Sequence, residues 1–196
     1  PVSHFPMDAP LQAQVMTLDY NDYVGRIGIG RVFAGILEAG KEIVLIDREG
    51  KATPQKIAQL YRFHGLGRKE VRQVTTGDLF AAVGLSNVDI GVTLADVNHP
   101  NPLPLMALDE PTLHMVFRAN DSPFAGQEGT FVTARQVRDR LRLELQVNVA
   151  MRVEEKGDEF VVSGRGLLHL GILLENMRRE GFELAVGKPQ VIYRQE

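Results

Sequence analysis

The first hundred residues alternate apolar and polar side chains in short runs, a pattern typical of β-strands with one buried face. The runs cover residues 12–19, 25–33, 42–46, 53–63 and 78–85, with a turn around residues 90–91. Closely spaced short strands with glycine turns predict a small closed β-barrel, in which Gly28 and Gly30 ease tight curvature.

The second half mixes strand and helix periodicities. Thr133 and Gln136 have the spacing of a capping box, in which each side chain satisfies an unpaired amide at a helix start. Inward-facing apolar residues follow at helical spacing, in one set at Val137, Leu141 and Leu145 and in another at Leu170, Leu173, Leu174 and Met177. Gly166 is expected to open the second helix and Gly181 to end it. Extended segments are expected at residues 112–118, 149–154, 159–163, 182–186 and 190–193. The order β-α-β-β-α-β predicts a ferredoxin-like α+β domain.

Proline marks the change between the two patterns. Residues 98–105 contain three prolines, and Pro111 follows shortly after. Proline fixes φ and lacks an N–H, so this stretch is expected to run extended. We place the boundary at about residue 105, giving a β-barrel domain over residues 1–105 and the α+β domain over residues 106–196. Because the chain starts at Pro1 without methionine, it is interpreted as a piece of a longer protein.

The composition narrows the class of protein. At 44% hydrophobic and 24% charged residues, the chain is typical of globular proteins, and no apolar run approaches the roughly 20 residues of a membrane span. The absence of cysteine excludes disulfides and thiolate chemistry and fits a cytoplasmic location. A net charge of −3 argues against wrapping of nucleic acid but allows a local basic patch. The five histidines have no metal-ligand spacing.

Two features resemble catalytic motifs but lack a required part. The segment from Gly35 to Glu42 approaches a P-loop, but its last residue is an acid where serine or threonine would ligate Mg²⁺. A β-turn is expected there instead. The acidic pairs at residues 154–155 and 158–159 fall at a predicted hairpin turn without a companion base. We therefore predict no catalytic, metal-binding or cofactor-binding residue in this chain.

Cationic side chains cluster in several places and are the candidate phosphate contacts. Residues 62–72 are interpreted as a glycine-containing loop, and the first helix carries three arginines on one face. The full candidate set is Arg62, Arg68, Lys69, Arg72, Arg135, Arg138, Arg142, Arg165, Arg178 and Arg179. Planar guanidinium groups suit phosphate recognition. The alternative is local pairing, of Arg135 with Asp139 and of Arg140 with Glu144, while arginines at a helix end complement its dipole.

Five blocks of the sequence resemble the BipA/TypA family of translational GTPases. They begin at Leu18, Asp109, Asn120, Val161 and Glu175 and read LDYNDYVGRIGIGR, DEPT, NDSPFAGQEG, VVSGRGLLHL and ENMRREGFEL. Elongation factor G and LepA share the domain plan, but the last block is more similar to BipA/TypA. Leu167 replaces a glutamate of the family pattern and Ala134 a serine, so a contact made through that carboxylate is not expected here.

The resemblance implies the middle portion of such a protein, a translation-factor β-barrel followed by a ferredoxin-like domain similar to domain III of elongation factor G. A G domain holding GTP and Mg²⁺ would precede Pro1, and further domains would follow Glu196. The implied partners are the ribosome, through its RNA and proteins, the other domains of the same chain, and tRNA as a further candidate. The implied roles are ribosome function, assembly of the large ribosomal subunit and stress response. The segment itself is expected to be non-catalytic.

The resemblance favours phosphate contact most for the candidates at residues 62–72. Two other interpretations stay open on the residues alone. One is a small-ligand or enzyme domain on the ferredoxin-like sheet, since such sheets carry many chemistries. The other is a structural spacer whose arginines only solvate the surface.

Overall fold

The chain folds as two units, residues 1–107 and residues 108–196, in a computed structural model that describes residues 7–65, 67–107 and 110–192. The described residues are mostly in β-strands, and the two helices both lie in the second unit. Leu66 in the predicted basic loop, Asp109 in the second family block and Tyr193 at the end of the last predicted strand lie outside the described residues.

The described part of the first unit contains ten strands. Their bounds are β1 Gln12–Asn21, β2 Gly25–Ala34, β3 Ile36–Glu38, β4 Glu42–Ile46, β5 Ala52–Lys56, β6 Gln59–His64, β7 Gly67–Glu70, β8 Gln73–Thr75, β9 Leu79–Val83 and β10 Thr93–Ala95. Eight of them form a sheet in the order β5-β4-β10-β1-β2-β9-β6-β7, while β3 pairs with β8 in a separate ribbon. The strand pairs are antiparallel.

Alternation buries one face in part of the unit, as in β2, because successive side chains of a strand point to opposite faces, whereas β4, β9 and β10 bury consecutive residues and so both faces. Phe80, Leu60 and Leu94, from three different strands, have no exposed surface. A Cβ at Gly30 would lie 1.9 Å from the Gln14 carbonyl oxygen, and a Cβ at Gly28 would lie 2.9 Å from a methyl of Val88. Glycine is therefore required here because the backbone approaches its neighbours closely.

The proline-rich stretch is fixed to the first unit. The buried Gln14 amide donates to the carbonyl of Pro104 at 2.9 Å, and the Gln12 amide donates to that of Asn101 at 3.1 Å. The Leu103 N–H donates to the Thr93 hydroxyl at 3.0 Å. These bonds tie the extended segment to β1 and β10, since its prolines leave few donors of their own.

The second unit places two helices against an antiparallel sheet. Its elements are β11 Leu113–Ala119, α1 Ala134–Val147, β12 Arg152–Lys156, β13 Glu159–Gly164, α2 Leu167–Arg179, β14 Leu184–Val186 and β15 Gln190–Val191. The sheet order is β12-β13-β11-β14, and β15 also pairs with β11. Phe117 and Phe160 of the sheet share one core with Leu141 of α1 and Met177 of α2. Both helices therefore cover the same face of the sheet.

The predicted helix signals are confirmed. Gln136 N–H donates to the Thr133 hydroxyl at 3.3 Å, and Thr133 N–H donates to Gln136 Oε1 at 3.0 Å, which completes the capping box. Gly166 precedes α2, and Gly181, at a φ of +94°, follows it in the left-handed region that favours glycine.

Three predicted strand bounds are wrong. Residues 53–63 divide into β5 and β6, which pair with β4 and β9 respectively. The strand expected from residue 149 begins at Arg152, because residues 148–151 turn and Met151 N–H donates to the Asn148 carbonyl. The strand expected from residue 182 begins at Leu184, because Phe182 pairs separately with Phe131.

Candidate nucleic-acid interface

The candidates at residues 62–72 lie on and beside a β-hairpin, so the prediction of a loop is wrong. Arg62 stands opposite Lys69 in the pairing of β6 with β7, and Phe63 stands opposite Arg68. Directly opposed residues share one face of an antiparallel pair, whereas neighbours along a strand alternate. The hairpin therefore separates Arg68 from Arg62 and Lys69.

One face of the hairpin is packed against the first unit. Phe63 joins an apolar cluster built on Ile27, Ala81 and Val83. Arg68 lies over the Phe63 ring, with its Cζ 5.3 Å from the ring centroid, and its Nη2 is 2.6 Å from Asp19 Oδ2. A guanidinium that is both stacked and ion-paired is held in one orientation. Arg68 therefore anchors the hairpin to β1.

The other face carries Arg62 and Lys69. Arg62 Nη2 lies 3.1 Å from Asp78 Oδ1, with 57% of the arginine side chain still exposed. Lys69 is exposed and has no ion-pair partner among the described residues. A depression of about 410 Å³ at the hairpin is lined by Arg62, Phe63, His64, Lys69 and Val71. Arg72 follows the hairpin and is also exposed.

The arginines of α1 are mostly engaged within the second unit. Arg138 Nε donates to Glu155 Oε2 at 2.8 Å, and Arg142 Nη2 lies 3.4 Å from the other oxygen of the same carboxylate. Arg138 also lies over the Phe160 ring at 5.8 Å. Arg135 is exposed, and the expected pair with Asp139 is not formed in the part of the chain that the structure describes. Of the predicted α1 face, Arg138 is largely covered, whereas Arg135 is exposed and Arg142 keeps 64% of its side chain exposed.

The predicted pair of Arg140 with Glu144 is confirmed at 3.0 Å. Arg140 also binds both oxygens of Glu180, at 2.5 and 2.9 Å. The hydrogen bonds that Arg140 donates, first to Glu180 and then to Glu144, raise the pKa of its guanidinium. This arginine links α1 to the end of α2.

Arg165 precedes α2 and is exposed. Its carbonyl accepts a hydrogen bond from the Thr112 hydroxyl at 2.8 Å, and its N–H donates to His169 Nδ1 at 3.2 Å. Burial, and secondarily the charge of Arg165, lower the pKa of His169. The neutral imidazole thus accepts the backbone bond at the start of α2.

Arg178 and Arg179 at the end of α2 share one acid. Both guanidinium groups approach Glu175 to 2.8 Å, yet their side chains are 70% and 72% exposed. Hydrogen bonds from Arg178 and Arg179 lower the pKa of Glu175 to about 2. These arginines therefore keep exposed surface while neutralising only one carboxylate.

A fixed loop between β11 and α1 was missed by the sequence reasoning. Glu183 Oε1 accepts from the N–H groups of Glu128 and Gly129, at 2.5 and 2.7 Å, and Oε2 accepts from Gly126 N–H at 2.9 Å and Asn120 Nδ2 at 3.1 Å. The hydrogen bonds donated by the N–H groups of Gly126 and Glu128 are the main cause that lowers the pKa of Glu183 to about 2. No local motif signals a partner more than 50 residues away.

The remaining motif is the segment that approaches a P-loop. This segment forms β3, a turn at Gly40 with φ of +78°, and β4, as predicted. Among the described residues, no group of three or more histidine, aspartate or glutamate side chains could hold a metal ion. None of the described helices has the length and apolar character needed to cross a membrane.

Known proteins are similar to this chain along nearly its full length. The elongation factor Tu domain 2 family matches residues 25–95. The large ribosomal subunit assembly factor BipA of Synechocystis sp. is 54% identical over 95% of this chain and 32% of its own length. Those of Bacillus subtilis and Salmonella typhimurium are 50% and 48% identical, over 96% and 99% of this chain and 31% and 33% of their own lengths.

The chain thus spans about a third of the length of the curated relatives it matches. Its described part is mostly β-strand with few helices, consistent with an elongation factor Tu domain 2 barrel at residues 25–95. With 48–54% identity along 95–99% of its residues, the chain belongs to the BipA/TypA family.

Proposed function

We propose that this chain is a non-catalytic ribosome-binding portion of a translational GTPase that acts in assembly of the large ribosomal subunit. The observation that supports it best is the extent of its similarity to proteins named large ribosomal subunit assembly factor BipA. GTP and Mg²⁺ would be bound by a separate G domain of the whole protein. The chain would work in the cytoplasm, where ribosomes are assembled.

The domain assignment belongs to this proposal. Residues 1–105 would be the translation-factor barrel, for which the match at residues 25–95 gives support. Residues 106–196 would be a ferredoxin-like domain. Counted within the second unit, its first four strands have the order 2-3-1-4 with a helix after the first and third, and this order supports the assignment to a split βαβ domain.

The ribosome-facing residues of the first unit would be Arg62 and Lys69. They share the outward face of the β6–β7 hairpin, where phosphate oxygens can reach both cations. Arg68 would act as a positioning residue, because it is stacked on Phe63 and paired with Asp19. Arg72 would extend the cationic face.

In the second unit, Arg178 and Arg179 are the better exposed candidates, and Arg135 and Arg165 are exposed as well. Arg138 and Arg142 would serve mainly to hold α1 against β12 through Glu155. Contacts to tRNA would follow the same chemistry, because its backbone presents the same phosphates.

Co-sedimentation with purified ribosomes and separated subunits tests this function. The chain should pellet with ribosomes at low salt, and Lys69→Glu should lower the bound fraction because it places a carboxylate among phosphates. Lys51→Glu is the matched control, since Lys51 is an exposed lysine at the turn between β4 and β5. Equal losses in the two variants, or no pelleting of the unaltered chain, would contradict the proposal.

A further inference from the structure

A depression of about 440 Å³ in the second unit lies between the loop that joins β11 to α1 and the end of α2. Phe124 and Glu128 of the loop and Arg178 of α2 line it, together with Phe182 and Leu184 beyond the helix. Its volume falls within the range of roughly 300–1,000 Å³ found for binding sites. The depression is therefore large enough to receive side chains of a partner.

The loop presents an open aromatic ring on a fixed backbone. Phe124 is 68% exposed, although the N–H groups of Gly126, Glu128 and Gly129 beside it donate to the Glu183 carboxylate. A side chain on a backbone that is already ordered loses less freedom on binding. Aromatic residues are also enriched in protein–protein interfaces. Phe124 therefore has the properties of an anchor for a partner.

Two charged groups of opposite sign share the depression with this ring, and they differ in how they are paired. Arg178 donates to both oxygens of Glu175, at 2.8 and 2.9 Å. Glu128 is exposed and has no ion-pair partner among the residues that the structure describes. The hydrogen bonds to Glu175, and more weakly the charge of Glu128, raise the pKa of Arg178. Glu128 thus lies near the arginine but is left for an outside cation.

The net charge around the depression favours a protein over RNA as the partner. Three acids, Glu128, Glu175 and Glu183, stand against two arginines, Arg178 and Arg179, which leaves one negative charge. The phosphates of RNA would bring like charge to the Glu128 carboxylate, and such a juxtaposition costs free energy. A protein segment can instead combine an apolar side chain with a cation.

We propose that this depression is a docking site for a segment of a ribosomal protein. The segment would place an aliphatic side chain against Phe124 and a neighbouring lysine or arginine against Glu128. The inference rests on the proposed function, because it names the kind of ribosomal component that the second unit contacts. Arg179 does not line the depression and remains a candidate phosphate contact beside it.

Retention of ribosomal proteins on the immobilised chain tests the docking site. The probe is the mixture of proteins extracted from purified ribosomes and freed of RNA, and the retained protein is identified by mass spectrometry. One ribosomal protein should be retained. Phe124→Ser and Glu128→Lys should each weaken its binding about five- to 30-fold, as expected for the loss of one important interface contact.

Each variant has a matched control. Asp158→Lys makes the same change of charge at an exposed acid in the turn between β12 and β13. Tyr23→Ser removes a ring that is 96% exposed in the first unit. Both controls should retain the ribosomal protein. Because Phe124 and Glu128 are exposed, and position 128 keeps the N–H that binds Glu183, thermal unfolding should be unchanged in all four variants.

Three outcomes would overturn the docking site. One is that no ribosomal protein is retained, and another is that test and control variants lose equal amounts. The third comes from p-benzoylphenylalanine in place of Phe124, which forms a covalent crosslink under ultraviolet light. Crosslinking to ribosomal RNA alone, in complexes with intact ribosomes, would show that RNA and not protein occupies the depression.

The two proposals can fail separately. Ribosome binding that depends on Lys69 but not on Phe124 or Glu128 would remove the docking site and leave the proposed function standing. Retention of a ribosomal protein that depends on Phe124 and Glu128, without any binding of intact ribosomes, would do the reverse.

Discussion

Glu183 holds the loop between β11 and α1 in place. Its carboxylate collects three N–H groups and one side-chain amide from residues 120–129. Hydrogen bonds to an ionised acceptor are stronger than those between neutral groups. The loop between β11 and α1 therefore has a fixed shape although it contains no regular structure.

Substitution of Glu183 by Gln should loosen this loop, because an amide offers one acceptor oxygen where the carboxylate offers two. Amide hydrogen exchange at Gly126, Glu128 and Gly129 should accelerate, which mass spectrometry can measure. Glu159→Gln is the control, since within the described part of the chain that acid forms an exposed ion pair with Arg118 and no other. Unchanged exchange in the Glu183 variant would show that other contacts hold the loop.

The same residue gives a pH dependence with a definite sign. The folded state lowers the pKa of Glu183 from 4.5 to about 2, so its contribution is present above the ordinary value. Stability is then lost as the pH falls from about 4.5 toward 2, where the folded protein binds a proton. Acid unfolding of the Glu183→Gln variant should lack this component.

At the scale of the element, α1 shows how one helix divides its residues between core and solvent. Leu141 is 1% exposed and lies in the core of the second unit, whereas Leu143 is 45% exposed. Two residues apart on a helix is about 200° of rotation, which puts the two leucines on opposite sides.

Leu141→Asp should reduce the free energy of unfolding by about 3–5 kcal/mol, since it removes a buried side chain and introduces an unpaired charge. Leu143→Asp on the exposed side should change it by less than about 0.5 kcal/mol. Denaturant titration followed by circular dichroism compares the two variants. Similar midpoints would show that α1 does not pack through Leu141.

The elements that could be predicted from the sequence are those specified by neighbouring residues. The capping box of Thr133 and the inward face of α1 depend on spacings of three and four residues, so the sequence displays them directly. The hairpin at residues 59–70 was interpreted in part as a loop, because its packing depends on Asp19 and Phe63 meeting Arg68. The hydrogen bonds to Glu183 likewise join residues more than 50 positions apart, so no local sequence pattern predicts them.

At the scale of the whole molecule, the count of cations overstates the surface available to an anion. The chain has 22 lysines and arginines against 25 acids. Several of the arginines are directed to particular carboxylates, as Arg68 is to Asp19 and Arg138 to Glu155. Because these arginines are paired and the net charge is −3, the cationic area open to an anion is small. Ribosome binding should therefore depend on contacts to few phosphates.

We expect ribosome affinity to fall with salt concentration along a shallow line on logarithmic axes. Lys69→Gln should reduce the slope by about 1, as expected for the loss of one phosphate contact. Lys51→Gln removes the same charge elsewhere and should leave the slope unchanged. Affinity measured across a potassium chloride series gives both slopes, and identical slopes for the two variants would exclude Lys69 as a contact.

The hydrogen bonds to Glu183 also determine when the loop between β11 and α1 can take its final shape during translation. Ribosomes add roughly 5–20 residues each second, so the 57 positions between Gly126 and Glu183 take about 3–11 s to make. During that interval the nascent chain has the amides of the loop but not their acceptor. The loop must therefore stay hydrated until β14 emerges, which makes it one of the last parts of the second unit to settle, although its own residues are among the first translated.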